Sequence, residues 1–317
     1  MNMSRYRIGI DIGGTFTDHV LHDEDTGQTF NVKVPTTPSD LSRCFLEGLQ
    51  ALEGKAERGL PGLEFIAHGT TVNTNAIIQR EGAKAALLTT KGFRDVLEIG
   101  RQIRPGAHDF FSERPAPLVP RSLRVEVEER IASDGSVVVP ISEPGVLEAV
   151  KFFRQQQVDA VAVCFLNSYA NPAHELEAKR ILMRELPGVY IAVSAEVSRE
   201  FREFERTSTV AADAYVGPLF TSYLDKLESE LEALLGESGR LVIMHSGGGL
   251  MSVDRARHRP HTTIESGPAA GVIAAAELGI QASIPSVISF DMGGTTAKAS
   301  LVEKGHPRTL SMFGIGE

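Results

Sequence analysis

The sequence runs to 317 residues, 42% apolar and 23% charged, with a formal net charge of −9; this is an ordinary folded composition with room for two domains and a sizeable core. An acidic balance with no cluster of lysine and arginine argues against nucleic acid or an anionic membrane as the main partner. Cys44 and Cys164 lie far apart among apolar neighbours and read as buried small side chains in a reducing compartment; with no apolar h-region in the opening MNMSRYR and no run near the roughly 18 residues of a membrane helix, the expectation is a cytoplasmic protein.

The first element is Ile8 to Leu21, IGIDIGGTFTDHVL. β-Branched residues before a glycine pair that permits positive φ make it a strand, tight turn and strand. Turn chemistry at Asp23 to Gly27 leads to a third strand, Thr29 to Val34, so the chain opens as an antiparallel meander. Thr37-Pro38-Ser39-Asp40 then starts a helix whose Leu41, Phe45, Leu49 and Leu52 repeat at helical spacing. A strand around Leu63 to Ala67 delivers His68-Gly69-Thr70-Thr71 to a helix, Val72 to Gln79, with Asn73 in its first turn. His68, Thr70, Thr71 and Asn73 are substrate candidates, presenting N–H groups and hydroxyls to an anion or amide. The alternative is that a threonine caps the helix while His68 satisfies a backbone carbonyl.

A strand from Ala83 to Leu88 follows. The Pro-rich stretch Arg104 to Pro120, with His108, Asp109, Phe110 and Phe111, is too long for a simple connector and is either a functional loop or an arm on a partner. Arg124 to Arg130 and Ser136 to Val139, joined at Asp134-Gly135, read as a hairpin. From Glu143 the pattern becomes helix to Gln156, strand Ala160 to Phe165, helix Ala173 to Glu185 and strand Val189 to Ser194, an α/β alternation. Arg199 to Arg206, REFREFER, reads as a solvated face and marks a domain boundary. Thr207 to Val216 and Pro218 to Leu235 read as one long helix interrupted at Gly217-Pro218. A strand, Leu241 to Met244, runs into His245-Ser246-Gly247-Gly248-Gly249. Glu265-Ser266-Gly267 then opens a small-residue helix, Ala269 to Leu278, built for close packing or for phosphate and ribose contact.

The opening hairpin recurs. Ile288 to Leu301, ISFDMGGTTAKASL, overlays the first copy at a constant offset, pairing Asp11 with Asp291 and Gly13-Gly14-Thr15 with Gly293-Gly294-Thr295. Glycine-turn N–H groups and threonine hydroxyls suit a polyphosphate. Neither copy has the Gly-Lys-Ser/Thr ending of a Walker A loop or the Gly-x-Gly-x-x-Gly of a dinucleotide fold. A carboxylate at the same place in each copy points to two hairpins facing one ligand, with Asp11 and Asp291 holding a hydrated magnesium between phosphates.

IGIDIGGTFTD, HGTTVNTNA, LLTTKGFRDVLEIGRQ, FLNSYANPAHE, EFREFERTST, ESGPAAG and ISFDMGGTTAK, in this order, resemble the hydantoinase A / 5-oxoprolinase family. That group holds ATP-dependent N-methylhydantoinases, 5-oxoprolinases and one subunit type of acetone and acetophenone carboxylases. The resemblance implies an α/β fold of actin-like, ribonuclease H-like lobes with mixed sheets, in the actin, sugar-kinase and heat-shock-chaperone ATPase superfamily. On it, residues 1–200 are the first lobe with an inserted segment, and 201–317 begin a second, incomplete lobe of a longer protein. It implies ATP and Mg2+ as cofactors, with Asp11 and Asp291 as catalytic and metal residues. Gly13, Gly14, Thr15, Thr17, Gly293, Gly294, Thr295, Thr296, Ser266 and Gly267 are implied for nucleotide. The implied reaction is phosphorylation of a carbonyl-type oxygen of a cyclic amide or ketone, completed with a hydantoinase B-type partner in an oligomer. Rival expectations are the ATP-using subunit of a ketone carboxylase and a non-catalytic nucleotide-binding or assembly module. One departure stands out: many relatives continue the second loop Thr-Ser-Thr-Asp, where this chain has Thr295-Thr296-Ala297-Lys298. Lys298 therefore either contacts phosphate or faces solvent.

Overall fold

The computed structural model describes residues 5–55, 63–102, 111, 115–235, 241–292, 297–310 and 314. The opening meander is β1 (Tyr6–Ile12), β2 (Phe16–Asp23) and β3 (Thr29–Pro35), followed by α1 (Leu41–Glu53), β4 (Leu63–Thr70) and α2 (Val72–Ile78). Next come β5 (Ala85–Thr90), α3 (Val96–Ile99), β6 (Arg124–Val127), β7 (Arg130–Ile131) and β8 (Val137–Val139). The alternating stretch is α4 (Glu143–Gln156), β9 (Ala160–Cys164), α5 (Ala173–Glu185), β10 (Tyr190–Val193) and α6 (Ser194–Val197). A long α7 (Glu203–Leu235) leads to β11 (Leu241–Met244), β12 (Leu250–Ser252), α8 (Val253–His258) and α9 (Ser266–Gln281). The second hairpin is β13 (Val287–Met292) and β14 (Ala297–Glu303), with a short β15 (His306–Pro307). The fold is mixed α/β with several sheets.

In space the chain forms two compact units. Met1–Thr74 and Phe220–Phe313 make one; Asn75–Leu219, grouped with Gly314–Glu317, makes the other. The sequence-based division at residue 200 follows chain order, whereas the spatial units change over within α2 and within α7. Pairing decides this, because β11 adds in parallel to β4 and so draws the later segment into the sheet that the opening meander and β4 begin.

The first unit's main sheet runs β12-β11-β4-β1-β2-β3. β1 alternates strictly, with Ile8, Ile10 and Ile12 buried and Gly9 and Asp11 turned the other way, as a period of two demands. Leu21 joins the isoleucines against Cys44, Phe45, Leu49 and Leu52 of α1 and Leu227 and Leu231 of α7. A second small sheet, β13-β14-β15, carries the repeat.

The second unit's sheet, β10-β9-β5-β6, is parallel throughout. Every residue of β5 and β9 is buried, as expected of strands covered on both faces. Two sequence expectations are corrected here. The 124–130 stretch is not one hairpin arm, because β6 pairs in parallel with β5 and only the short β7 and β8 flank the Asp134-Gly135 turn. Helix α7 runs unbroken through Pro218.

REFREFER is also not simply a solvated face. Arg206 is fully buried, its Nη2 donating to the Phe165 carbonyl at 2.6 Å and its guanidinium lying 5.5 Å from the Tyr169 ring centre. Cys44 and Cys164 are both buried free thiols, as expected. Of the Arg104 to Pro120 stretch, residues 104–110 and 112–114, with His108, Asp109 and Phe110, lie outside the described residues.

Candidate functional site

The site lies in the first unit and is built around Asp11. Because the isoleucines of β1 face the core, Asp11 projects from the opposite face, one residue from the strand's end. Parallel pairing sets it directly beside Gly69 of β4. A Cβ on Gly69 would stand 3.1 Å from Asp11 Oδ1, and one on Gly267, in the first turn of α9, 3.3 Å from the same oxygen. Two glycines from two elements thus clear space around one carboxylate oxygen.

Side chains after β4 hold this junction. Thr71 donates its N–H and its hydroxyl to the Ile12 carbonyl, at 3.3 and 3.1 Å, closing the end of β1 onto the start of α2. The Ser266 hydroxyl donates to the Thr70 carbonyl at 3.1 Å, and the Glu265 N–H donates to Thr74 Oγ1 at 3.0 Å. Asn73 Nδ2 donates to Thr263 Oγ1 at 2.7 Å and to the Pro260 carbonyl at 3.1 Å. HGTTVNT therefore fastens the N-terminus of α9 beside Asp11, where the helix dipole favours negative charge on a ligand. Glu265 caps that helix in the left-handed region at φ 67°, a backbone state uncommon outside glycine.

The electrostatics are those of crowded carboxylates. Asp11 keeps solvent access, yet protein closes around it, and this burial pushes its carboxyl up from the ordinary value; the charges of Asp18 and Asp291 push further in the same direction. Asp291, in the equivalent position near the end of β13, is solvent-exposed and close enough for its charge to act on Asp11. Like-charged carboxylates disfavour joint ionisation unless a cation lies between them, and one or two carboxylates with water and phosphate oxygens is the donor set magnesium takes. Asp11 and Asp291 thus fit such an ion.

At the first hairpin turn Gly14 and Thr15 are exposed and Gly13 is half-buried. The turn is braced from the end of β3, where Thr36 donates its N–H to the Thr15 carbonyl at 2.9 Å and its hydroxyl to the Gly13 carbonyl at 2.8 Å. Thr17 is not at the turn. It is fully buried, with its hydroxyl 3.0 Å from that of Thr36 and 3.2 Å from Cys44 Sγ.

His68 is likewise a core residue, fully buried. Tyr223 Oη lies 2.7 Å from its Nε2, and its Nδ1 is 3.4 Å from the Ile10 carbonyl, so the alternative in which it satisfies a carbonyl describes it. Thr70 and Asn73 are buried too and act on the backbone around Asp11. Gly293, Gly294, Thr295 and Thr296 lie outside the described residues.

Lys298 ion-pairs with Glu265 from the position directly across from Asp291. Sequence reasoning missed Glu265 and Gly69. The signal for Gly69 was present, a glycine at a strand end level with the aspartate of the adjoining strand. Nothing local in the sequence joins Glu265 to Lys298.

Fold and site together define an α/β protein with a duplicated glycine hairpin, each copy bearing an aspartate just before the glycines, whose first copy meets a helix N-terminus. The hydantoinase/oxoprolinase N-terminal region matches residues 7–186 and the hydantoinase/oxoprolinase description matches residues 206–313; the chain belongs to the hydantoinase/oxoprolinase family. It is 40% identical over 314 residues to an uncharacterised protein of Methanocaldococcus jannaschii, covering 98% of this chain and 45% of that protein. It is 36% identical to caprolactamase subunit alpha of Pseudomonas jessenii, covering 96% of this chain and 44% of that one. The crystal structure of the ATP-dependent caprolactamase of that organism matches with a TM-score of 0.83 at 36% identity, over 93% of this chain and 43% of that chain. The nucleotide-free structure of an acetone carboxylase, described by its mechanism of ATP-dependent acetone carboxylation, matches with a TM-score of 0.86 at 26% identity, over 96% and 45%. The chain spans less than half the length of these relatives. Among the described residues no helix is long and apolar enough to cross a membrane.

Proposed function

We propose that this chain carries the phosphate- and magnesium-binding part of an ATP-dependent hydrolase of cyclic amides such as a hydantoin, 5-oxoproline or a related lactam. The observation that carries the reading is the pair of equivalently placed aspartates, Asp11 and Asp291, beside a gap kept open by Gly69 and Gly267, with the Asp11 carboxyl raised first by burial and then by the charges of Asp18 and Asp291. In this reading the turn at Gly13, Gly14 and Thr15 and the N-terminus of α9 at Gly267 receive phosphate oxygens, and the two hairpins grip one nucleotide in the manner of actin-like ATPases. Asp11 and Asp291 would hold a magnesium ion, which neutralises phosphate charge as the phosphoryl group moves.

The chemistry needs ATP for a simple reason. Resonance makes a lactam carbonyl a poor electrophile, and transferring a phosphoryl group to its oxygen creates a leaving group that water alone does not. In this reading Asp291 also orients the accepting oxygen, and a hydantoinase B-type partner completes ring opening. A second reading, the ATP-using subunit of a ketone carboxylase, is favoured by the match to the acetone carboxylase structure.

Phosphate release from Mg-ATP separates the two when measured with a hydantoin, 5-oxoproline or caprolactam, and in parallel with acetone plus bicarbonate. Stimulation by a cyclic amide, lost in Asp291→Asn, supports the hydrolase. Stimulation by acetone and bicarbonate alone transfers the chain to the carboxylase reading.

A further inference from the structure

Helix α9 and the second hairpin run side by side in opposite directions. Near the end of α9, a Cβ on Gly279 would meet Val287 Cγ1, at the start of β13, at 3.4 Å. At the other end Lys298 ion-pairs with Glu265, the residue that caps α9. The helix has 16 residues and spans about 24 Å; the six-residue β13 returns over about 20 Å. The far end of the hairpin is thereby brought back to the start of the helix, where a Cβ on Gly267 would stand 3.3 Å from Asp11 Oδ1.

The two hairpins differ in charge at one paired position. Asp18 stands across from Asp11 and pairs with the exposed Lys33 at 3.2 Å. Lys298 holds the equivalent position across from Asp291, with about 5 Å between the two Cβ atoms. Its ammonium nevertheless goes to Glu265. The Glu265 N–H is held by Thr74 Oγ1, but its side chain makes no capping bond to α9, and among the described residues Lys298 is the partner of its carboxylate. Both side chains are partly exposed, and an ion pair so open to water is weakly held. The end of a helix that favours anions thus carries a cation, kept there by one carboxylate.

We infer that Lys298 is a positioning residue for the terminal phosphate of the nucleotide and that Glu265 is its built-in competitor. The carboxylate and the phosphate contend for one ammonium, and the phosphate, with the greater charge, draws it away. Rotation of the flexible lysine stem suffices for the exchange. A triphosphate displaces the carboxylate more readily than a diphosphate does, so the pair favours ATP over ADP. This inference rests on the reading of Asp11 and Asp291 as a phosphate and magnesium site.

The test is calorimetric titration of Mg-ATP and Mg-ADP into this chain and its variants, with urea unfolding of each protein alongside. Lys298→Met weakens Mg-ATP at least fivefold and narrows the preference over Mg-ADP, whereas Glu265→Gln, which frees the ammonium, tightens Mg-ATP about threefold. Lys298→Arg keeps the charge and restores at least half of the affinity lost in Lys298→Met. A purely structural ion pair predicts losses of the same sign, with Lys298→Met and Glu265→Gln both binding less tightly and unfolding at lower urea. That result overturns the inference, as does Lys298→Met binding Mg-ATP within twofold of the parent. No binding by the parent removes the phosphate reading and this inference together, while a binding parent with indifferent variants removes this inference alone.

Discussion

Neutral His68 is required by the core of the first unit, and this makes stability depend on pH in a specific window. Its ring is fully buried, edge-on to Phe45 at 5.3 Å and hydrogen-bonded to Tyr223. The nearby titratable groups are Tyr223 and His19, neither of which offers a negative charge at neutral pH. Burial drives its pKa down to about 4, with the His19 charge adding to the effect. The unfolded chain binds the proton near the ordinary value of about 6.5. The unfolded state therefore holds more protons between these two values, and stability falls as pH drops from about 6.5 to about 4. With roughly 1.4 kcal/mol per unit, the loss from this group is about 2 kcal/mol at pH 5 and about 3 kcal/mol below pH 4. Urea unfolding at pH 7.5 and pH 5 on the parent and on His68→Gln isolates it, since carboxylate titrations act on both proteins alike. The parent loses about 2 kcal/mol more than the variant over that interval. Equal losses in the two proteins refute the argument.

Thr17→Val removes a hydroxyl shared with Thr36 and Cys44 and lowers stability by about 1 kcal/mol while leaving Mg-ATP affinity within twofold; a tenfold loss of affinity at unchanged stability would return Thr17 to the phosphate loop. Gly48→Ala drives a Cβ into the His19 ring, which must then give up its contact with the Phe45 carbonyl, so a cost of about 2–3 kcal/mol is expected as a lowered urea midpoint. Because the Asp11 carboxyl is raised and a protonated carboxyl does not hold a cation, Mg-ATP affinity falls as pH is lowered from 8 to 4, beginning above the ordinary carboxylate range. A flat affinity across that interval contradicts this.

What the sequence made legible is local or periodic. The glycine pairs with their aspartates, the β-branched runs and the helical spacing of Leu41, Phe45, Leu49 and Leu52 specify the meander, its covering helix and the repeat. The alternation from Glu143 onward marks α4, β9, α5 and β10 closely. What it hides is decided by partners distant in the chain. β6 reads as a hairpin arm because its true partner, β5, is separated from it by α3 and the long Pro-rich stretch. Arg206 reads as a surface charge because its acceptor, the Phe165 carbonyl, lies 41 residues earlier. Thr17 is instructive, because the signal is there. In an antiparallel hairpin the residue opposite Ile12 shares its buried face, and that residue is Thr17. At His68 the motif is visible, but only the packed structure shows a ring enclosed by Phe45 and Tyr223. Lys298 needs both the cross-strand register with Asp291 and the cap of α9, a helix that begins and ends before the second hairpin starts.

The central claim is that Asp11 organises a nucleotide phosphate site. Calorimetric titration of Mg-ATP into this chain and into Asp11→Asn, a nearly isosteric change that removes the charge, tests it most directly. The account predicts saturable, magnesium-dependent binding by the parent and at least a tenfold weaker interaction in the variant, with both proteins unfolding at the same urea concentration. Equal affinity in the two proteins, or no binding by the parent, would contradict it.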